Sequence, residues 1–211
     1  KINMKKKIRL IYHWSDENVH TPSISKDLKK IFLERNFSNF VHLDVGCGNG
    51  YITKIINKFF KKTLGIDLSN DGIKLAKKAA KNVKNLKFSN ISPEKLIKKS
   101  IKFDVITAIE VIEHQYDPFK FMSDIEKLCK KKGYVLITTP YHGYVKNLVL
   151  SLLGLMDNHF TVLWPHGHIK FFSIKTLKKL ISYYKFEIEE ISFSGRFYPL
   201  SSSMIFLLKR K

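Results

Sequence analysis

Blocks of helical and strand-like hydrophobic periodicity follow one another along the chain and predict helices and strands in turn. An amphipathic helix is predicted from Ser23 or Ser25, either of which can cap it, to about Asn36. Its apolar stripe consists of Ile24, Leu28, Ile31 and Phe32. A buried strand at 40–45 then leads through a glycine turn into a second helix. The later strands are predicted at 63–67, 86–90, 103–109 and 133–139, and the helices between them at 71–81, 93–99 and 118–131.

The C-terminal part departs from this regular alternation. It contains an apolar segment at 145–156, a helix at 173–184 and two final strands at 186–193 and 203–208. The whole pattern predicts an α/β, Rossmann-like fold with a mostly parallel seven-stranded sheet, helices on both faces and an antiparallel C-terminal edge. We expect one domain over 1–211, with an N-terminal extension and helix at 1–36 and a lid-like insertion at 140–172.

The glycine turn is the most informative segment, Leu-Asp-Val-Gly-Cys-Gly-Asn-Gly at 43–50. Its glycines at alternate positions let the backbone turn tightly and approach a ligand closely. The helix that follows points free N–H groups and the positive end of its dipole at that ligand. Asp67 ends the second strand, about 20 residues further on, where a carboxylate accepts hydrogen bonds from ribose hydroxyls. Strand, turn, helix and acidic strand end in this order predict a nucleoside-binding site.

The glycine spacing indicates which cofactor binds. The dinucleotide fingerprint is Gly-x-Gly-x-x-Gly, whereas the pattern here is Gly-x-Gly-x-Gly, with Asp44 ahead of the first glycine. An acidic residue at this place repels a pyrophosphate and suits a cation, such as the ammonium and sulfonium groups of S-adenosylmethionine (SAM). At this point the sequence resembles the class I SAM-dependent methyltransferases, whose first motif reads much like residues 43–50.

This resemblance implies a set of cofactor contacts. The residues expected around the methionine part of SAM are Asp44, Gly46, Cys47 and Gly48. Asp67 is expected to hold the ribose, and Leu68 is expected to pack near the adenine. Asn90, after the third strand, matches a family position that often contacts the adenine edge, although that position is often Asp.

A second acidic motif, Glu-Val-Ile-Glu-His at 110–114, follows the fourth strand. Ligands of open α/β sheets bind beyond the carboxyl ends of the strands, so this motif should border the cofactor cleft. Spacings of three and four place Glu110, Glu113 and His114 on one side of a helical turn. Two carboxylates and an imidazole are suited to a divalent cation. The alternative is that the acids contact substrate, with His114 as a general base or a structural hydrogen-bonding group.

The stretch His-Gly-His-Ile-Lys-Phe-Phe-Ser at 166–173 completes a second resemblance. The pair of motifs resembles two groups. One is the ubiquinone-biosynthesis O-methyltransferases, and the other is the small-RNA 3′-end 2′-O-methyltransferases; in the second group these residues bind magnesium. Carried over, the ligands of Mg²⁺ are Glu110, Glu113, His114 and His168. Among these, His114 and Glu110 are the predicted catalytic residues, and a metal-free site stays open as the other interpretation.

The lid-like insertion has a broad apolar helical face at 145–156. Such a face covers a core, closes over a lipophilic acceptor, or contacts a membrane surface with the help of lysines. Four further side chains are expected to complete the acceptor pocket: His159, Phe160, Trp164 and His166. Trp14 and His20 are expected to close its opposite side.

Charge and cysteine content add less. The formal net charge of +20 is compatible with a nucleic-acid or anionic-lipid surface, but the lysines are spread along the chain and accompany a Lys-, Ile-, Asn- and Phe-rich composition. Cys47 and Cys129 form no recognisable zinc or disulfide pattern, which favours a reducing cytoplasm.

Taken together, the sequence predicts an enzyme that transfers a methyl group from SAM to a small-molecule acceptor, on an oxygen of an aromatic or lipid-like compound. The first alternative is a metal-dependent RNA 2′-O-methyltransferase, favoured by the charge and the acidic motif. The second is a non-catalytic SAM-binding protein. The acceptor, the pathway and the oligomeric state are not determined by the sequence.

Overall fold

A computed structural model describes residues 22–160 and 167–211. The predicted pocket residues Trp14, His20, Trp164 and His166 lie outside this part of the chain. Within it, no helix combines the length and the apolar character needed to cross a bilayer.

Seven strands form one sheet in the order β3-β2-β1-β4-β5-β7-β6. The strands are β1 Val41–Val45, β2 Lys62–Ile66, β3 Leu86–Ser89, β4 Phe103–Ile109, β5 Cys129–Pro140, β6 Phe186–Ser194 and β7 Ser203–Arg210. Strands β1 to β5 pair in parallel, and β7 runs antiparallel between β5 and β6. The predicted fold class is therefore confirmed, including the antiparallel C-terminal edge.

Eight α-helices accompany the strands in the described residues. They are α1 Pro22–Leu33, α2 Tyr51–Ile56, α3 Asn70–Ala79, α4 Pro93–Lys98, α5 Pro118–Leu128, α6 Tyr144–Leu152, α7 Met156–Phe160 and α8 Ile174–Ile181. Buried side chains of α1 and α2 pack on one face of the sheet, against Val105 and Leu136. Those of α4, α5 and α8 pack on the other, against Ile106 and Val135. Consecutive strand residues such as Val105 and Ile106 thus point to opposite faces of the sheet, because side chains alternate along a pleated strand.

The predicted helix at 118–131 is wrong at its C-terminal end. Helix α5 ends at Leu128, and residues 129–131 already belong to β5. Cys129 is fully buried and pairs with Phe103 of β4, while its carbonyl oxygen accepts a hydrogen bond from Arg210. These long-range contacts override the helical preference of the lysine-rich sequence.

The apolar segment 145–156 is divided between α6 and α7, with Gly154 in a left-handed conformation between them. Its apolar side chains are largely solvent-exposed; Leu152, for example, is 76% exposed. The one buried side chain of α6 is Lys146. This face therefore does not cover the core of the described residues, contrary to the first interpretation.

Candidate functional site

The glycine turn folds back onto the carboxyl end of β2. The amides of Gly46 and Cys47 both donate to the carbonyl oxygen of Ile66, at 2.8 and 3.0 Å. Gly46 has φ 74°, and a Cβ placed there would lie 2.5 Å from Cγ2 of Val111. Only glycine fits, because any side chain would meet both backbone strain and the loop that follows β4.

Asp67 fixes this turn from β2. Its Oδ2 accepts a hydrogen bond from the amide of Gly48 at 2.8 Å, and its Oδ1 accepts one from the amide of Ser69 at 2.7 Å. The side-chain amide of Asn90 donates to the carbonyl oxygen of Asp67 at 2.9 Å. Asp67 and Asn90, the two residues at strand ends that were predicted to contact the nucleoside, thus lie together beside the turn.

Asp44 lies buried beneath the turn. Its Oδ2 accepts from the hydroxyl of Thr53 on α2 at 2.5 Å, and its Oδ1 accepts from the hydroxyl of Thr107 on β4 at 2.7 Å. Burial raises the pKa of Asp44 to about 6, and the two hydroxyl hydrogen bonds act in the opposite direction. Asp44 therefore ties β1 to both α2 and β4 at the base of the turn.

His42 extends this network and is a residue that the sequence analysis missed. Its Nε2 lies 2.8 Å from Oγ1 of Thr107, its Nδ1 lies 3.3 Å from Oγ1 of Thr63, and its ring stacks on Phe60 at 4.1 Å. Burial lowers the pKa of His42 to about 3, so the ring is neutral. The sequence could have revealed it, because His42 stands two residues before Asp44 and the two side chains therefore lie on one face of β1.

A cleft of about 440 Å³ opens beside the turn, at the carboxyl ends of β1, β2 and β4. The predicted residues on its wall are Gly46, Asp67, Leu68, Glu110 and His114. The other predicted cofactor residues, Asp44, Cys47, Gly48 and Asn90, do not line it. Burial raises the pKa of the Cys47 thiol, which keeps it protonated. A second cavity, of about 480 Å³ beside α2 and α3, contains none of the predicted site residues.

Glu110 occupies a strained position on the wall of this cleft. Its φ is 53°, in the left-handed region that side chains other than glycine rarely adopt. The hydroxyl of Thr138 accepts from its amide at 2.9 Å and donates to its Oε1 at 2.7 Å. Burial raises the pKa of Glu110 to about 7, although these hydrogen bonds oppose the shift. Near neutral pH the carboxyl group is therefore poised between its two protonation states.

Glu113 and His114 lie in a 3-10 turn, Ile112–His114, directly after β4. The Glu113 side chain is fully buried, and neither carboxylate oxygen has a hydrogen-bond partner among the described residues. Burial, and then the charge of Glu110, raise the pKa of Glu113 well above its usual value. Nδ1 of His114 lies 3.2 Å from the carbonyl oxygen of Gly167, and its Nε2 lies 4.0 Å from Oε1 of Glu113.

His168 joins these two residues from the segment before α8. The amides of Ile169 and Lys170 donate to the carbonyl oxygen of Glu113, both at 3.0 Å, and hold that segment against the turn. The ligand atoms of Glu113, His114 and His168 all lie within 4.8 Å of one another. Glu110 is not part of this group because its carboxylate is held by Thr138. Three of the four predicted metal ligands are thus brought together.

Lys146 is a buried cation near the same wall. It is 8% exposed, and its Nζ donates to the carbonyl oxygens of Tyr141 at 2.8 Å and of Ser202 at 3.5 Å. Burial, with a further contribution from Arg196, lowers the pKa of Lys146 to about 8, whereas the charge of Glu110 opposes this shift. The sequence analysis missed Lys146, since it is the one buried side chain of an otherwise apolar helix.

Sequence comparison identifies known proteins that this chain resembles. A family model described as a methyltransferase domain matches residues 15–191. The ubiquinone biosynthesis O-methyltransferase of Pelagibacter ubique is 34% identical over 63% of this chain and 55% of its own length. The mitochondrial ubiquinone biosynthesis O-methyltransferase of Bos taurus is 31% identical over 66% of this chain and 43% of its own length. The chain therefore spans only about half the length of these two relatives.

Solved structures share the fold at lower identity. A putative methyltransferase from Bacillus halodurans superposes with a TM-score of 0.68 at 16% identity, over 88% of this chain and 99% of its own. Magnesium protoporphyrin IX methyltransferase from Synechocystis PCC 6803, solved with bound S-adenosylhomocysteine (SAH), gives 0.66 at 15% identity, over 89% and 83% of the two chains. With the family match over most of its length and the fold in agreement, this chain belongs to the methyltransferase domain family.

Proposed function

We propose that this protein binds SAM in the cleft beside the glycine turn and transfers the methyl group to an oxygen of a small, hydroxyl-bearing acceptor. The observation that carries the proposal is the arrangement of Gly46, Asp67 and Glu110 around one cleft at the carboxyl ends of the parallel strands. Membership of the methyltransferase family supports the reaction, and the names of the ubiquinone-biosynthesis relatives support oxygen as the accepting atom.

The cleft fits a nucleoside cofactor in size and chemistry. Its volume of about 440 Å³ lies within the usual range for small-molecule sites. The backbone at Gly46 allows close approach, while Asp67 and Leu68 present a carboxylate and an apolar surface to the cleft. We assign the ribose to Asp67, the adenine to Leu68 with Asn90 behind it, and the methionine part to the turn over Asp44, with Cys47 and Gly48. Bound SAM supplies an electrophilic methyl carbon.

The chain contributes positioning and a proton acceptor. Methyl transfer is an in-line displacement, so holding the acceptor oxygen in line with the donor supplies much of the rate. His114 donates from Nδ1 to Gly167, which leaves Nε2 as the basic nitrogen facing the site. In the metal-free site we assign the hydroxyl proton to His114 Nε2. Where that nitrogen holds a metal ion, we assign the proton to Glu110, because its pKa of about 7 matches a general base.

We further propose that Glu113, His114 and His168 hold a divalent cation such as Mg²⁺. The fully buried carboxyl of Glu113 supports this, because a bound cation would stabilise the ionised form that burial disfavours. The hydrogen bond from His114 to a backbone carbonyl orients the ring as metal-ligating histidines are oriented. An ion held there lowers the pKa of a bound hydroxyl. One carboxylate and two imidazoles also suit Mn²⁺ or Zn²⁺.

Product formation tests the proposed function directly. We expect purified protein with methyl-labelled SAM to label a member of a catechol panel, and the label to sit on oxygen. The matched comparison is a panel of thiols and amines with the same ring. Transfer to nitrogen or sulfur alone would contradict the assignment of oxygen, and tight SAH binding without any transfer would favour the non-catalytic alternative.

RNA is the second candidate acceptor, favoured by the net charge of +20 and by the clustered Glu113, His114 and His168. Filter binding of a short RNA at two salt concentrations separates the candidates, because phosphate contacts weaken steeply with salt. The exposed apolar side chains of α6 also fit a lid or a peripheral membrane contact. A cytoplasmic location stays a prediction, and it rests on the free thiols of Cys47 and Cys129.

A further inference from the structure

A cluster of aromatic and imidazole rings lies between the carboxyl end of β5 and helix α7. His142 follows β5, is 7% exposed, and stacks on Phe160 at a centroid distance of 5.9 Å. Phe171 meets the His142 ring edge-on at 5.1 Å, and the His159 ring lies 5.5 Å from it. We refer to His142, His159, Phe160 and Phe171 as the ring cluster. The cluster is built on the lid-like insertion and the segment that carries His168.

The ring cluster contains buried nitrogens that lack partners. Nδ1 and Nε2 of His142 and Nε2 of His159 are buried and make no hydrogen bond within residues 22–160 and 167–211. Buried polar atoms are nearly always paired, so each of these nitrogens marks a place for a further group. A neutral imidazole offers one donor and one acceptor nitrogen, and no group within the described ranges fills either role of His142.

The ring cluster adjoins the proposed catalytic wall. The rings of His114 and His168 lie 5.0 Å apart. Burial lowers the pKa of His168 to about 4, and His114 and His159 act in the same direction, so His168 lies within electrostatic range of both. The imidazoles thus continue from His114 on the cleft wall through His168 towards His159 of α7 and His142.

We propose that His142 and His159 are the acceptor-recognition subsite and bind a hydroxyl group of the acceptor other than the one that is methylated. The inference rests on the proposed function, since it takes the methylated oxygen to lie beside His114. A hydroxyl donates and accepts at once, which matches the donor and acceptor nitrogens of a neutral imidazole. Phe160 and Phe171 add aromatic surface suited to a ring. The ligand class is a ring that carries at least two hydroxyl groups.

Two other occupants fit less well. A carboxylate only accepts hydrogen bonds and would leave the acceptor nitrogen of His142 unpaired. A metal ion is disfavoured by Lys146, whose positive charge lies close enough to lower the pKa of both His142 and His159, after the larger effect of burial. The Lys146 ammonium itself is engaged by the carbonyl oxygens of Tyr141 and Ser202.

Binding to SAH-loaded, chelator-treated protein tests the inference without requiring turnover. Catechol, phenol and benzoate are titrated by calorimetry into the full chain. We expect catechol to bind about tenfold more tightly than phenol, which is the value of one good hydrogen bond in a dry site. His142→Phe keeps a ring stacked on Phe160. It should abolish the preference for catechol without weakening the binding of phenol. His142→Gln, which keeps a donor and an acceptor, should restore part of it.

Tyr144→Phe is the matched control, because it removes a hydroxyl from α6 at a side chain that is 81% exposed. It should keep the catechol preference. Equal affinities for catechol and phenol in the unmodified protein, or a preference that survives His142→Phe, would overturn the inference. So would benzoate binding more tightly than phenol, or Mn²⁺ affinity lost on His142→Phe. If SAH itself fails to bind, the proposed function falls too; if SAH binds and only the preference is missing, the inference alone falls.

Discussion

His42 and Thr107 are joined by a contact of 2.8 Å between Nε2 and Oγ1, and this contact fixes the tautomer of the histidine. The single hydroxyl proton of Thr107 is donated to Oδ1 of Asp44. The oxygen of Thr107 must therefore accept, so His42 carries its proton on Nε2 and accepts at Nδ1 from Thr63. A chain of directed hydrogen bonds thus runs from β2 through β1 and β4 to the carboxylate beneath the glycine turn.

Removal of the hydroxyl that links His42 to Asp44 should lower the stability of the fold. Thr107→Val keeps the shape but leaves Oδ1 of Asp44 and Nε2 of His42 unpaired in a fully buried place. We expect the free energy of unfolding to fall by about 1–3 kcal/mol, as measured by urea denaturation. Thr63→Val is the control, because it removes only the longer contact of 3.3 Å. Equal losses in the two variants would contradict the directed chain.

Gly46→Ala should weaken SAH binding at least tenfold while the protein still folds. The new methyl group would lie 2.5 Å from Val111 and press the turn into the cleft wall. Gly154→Ala is the matched control, since Gly154 also has a positive φ, of 64°, but nothing lies within 4 Å of its added Cβ. Calorimetric titration of SAH should give at least a tenfold weaker Kd for the first variant only, about 1.4 kcal/mol. A comparable loss of SAH affinity in Gly154→Ala would mean that the strain of a positive φ, and not the contact with Val111, causes the effect.

Glu110→Gln should become more stable relative to the unmodified protein as the pH rises. The pKa of Glu110 is raised from its usual value to about 7 in the fold, so the native state holds a proton that the unfolded chain has lost. Stability from this group therefore falls between about pH 4.5 and pH 7, and glutamine removes the fall. We expect the difference in unfolding free energy to shift by on the order of 2 kcal/mol between pH 5 and pH 8.

Urea denaturation at the two pH values measures this shift. Glu187→Gln, at an exposed position of β6, is the matched control and should show no comparable change. A Glu110→Gln difference that is flat from pH 5 to pH 8 would mean that the fold does not raise the pKa of Glu110, and would remove the pKa argument for it as a general base.

Glu113→Gln should leave the protein at least as stable as the unmodified protein without metal, but less stable than it when a divalent ion is added. Without metal, the substitution removes a buried carboxylate that has no hydrogen-bond partner in the described chain, so the melting temperature should rise or stay unchanged. With Mn²⁺, the unmodified protein should gain stability by mass action, and the variant should not. Thermal melts with chelator and with Mn²⁺ measure both effects. Equal Mn²⁺ stabilisation of both proteins would remove Glu113 from the ligand set.

Local periodicity and turn chemistry were enough to predict much of the fold. Strand β4 has the predicted bounds, because its apolar run is flanked by polar residues, and the glycine turn lies where its spacing placed it. The beginning of β5 was not predictable, since Cys129 becomes a strand residue only through its pairing with Phe103. Local sequence carries no trace of such a long-range contact.

The candidate site was predictable where its residues form short motifs. Glu113 and His114 were predicted together with His168, and the structure brings them together. Glu110 was grouped with them, but the structure does not include it in the cluster, and its carboxylate accepts a hydrogen bond from Thr138 instead. The burial of Lys146 escaped prediction, because an apolar helix normally buries its apolar face and not its single lysine.

Calorimetric titration of SAH into the purified protein tests the central claim, that the cleft beside the glycine turn is a SAM site. We expect saturable binding at one site per chain, with no competition from NAD or ATP. Binding of NAD or a nucleoside triphosphate in place of SAH would contradict it.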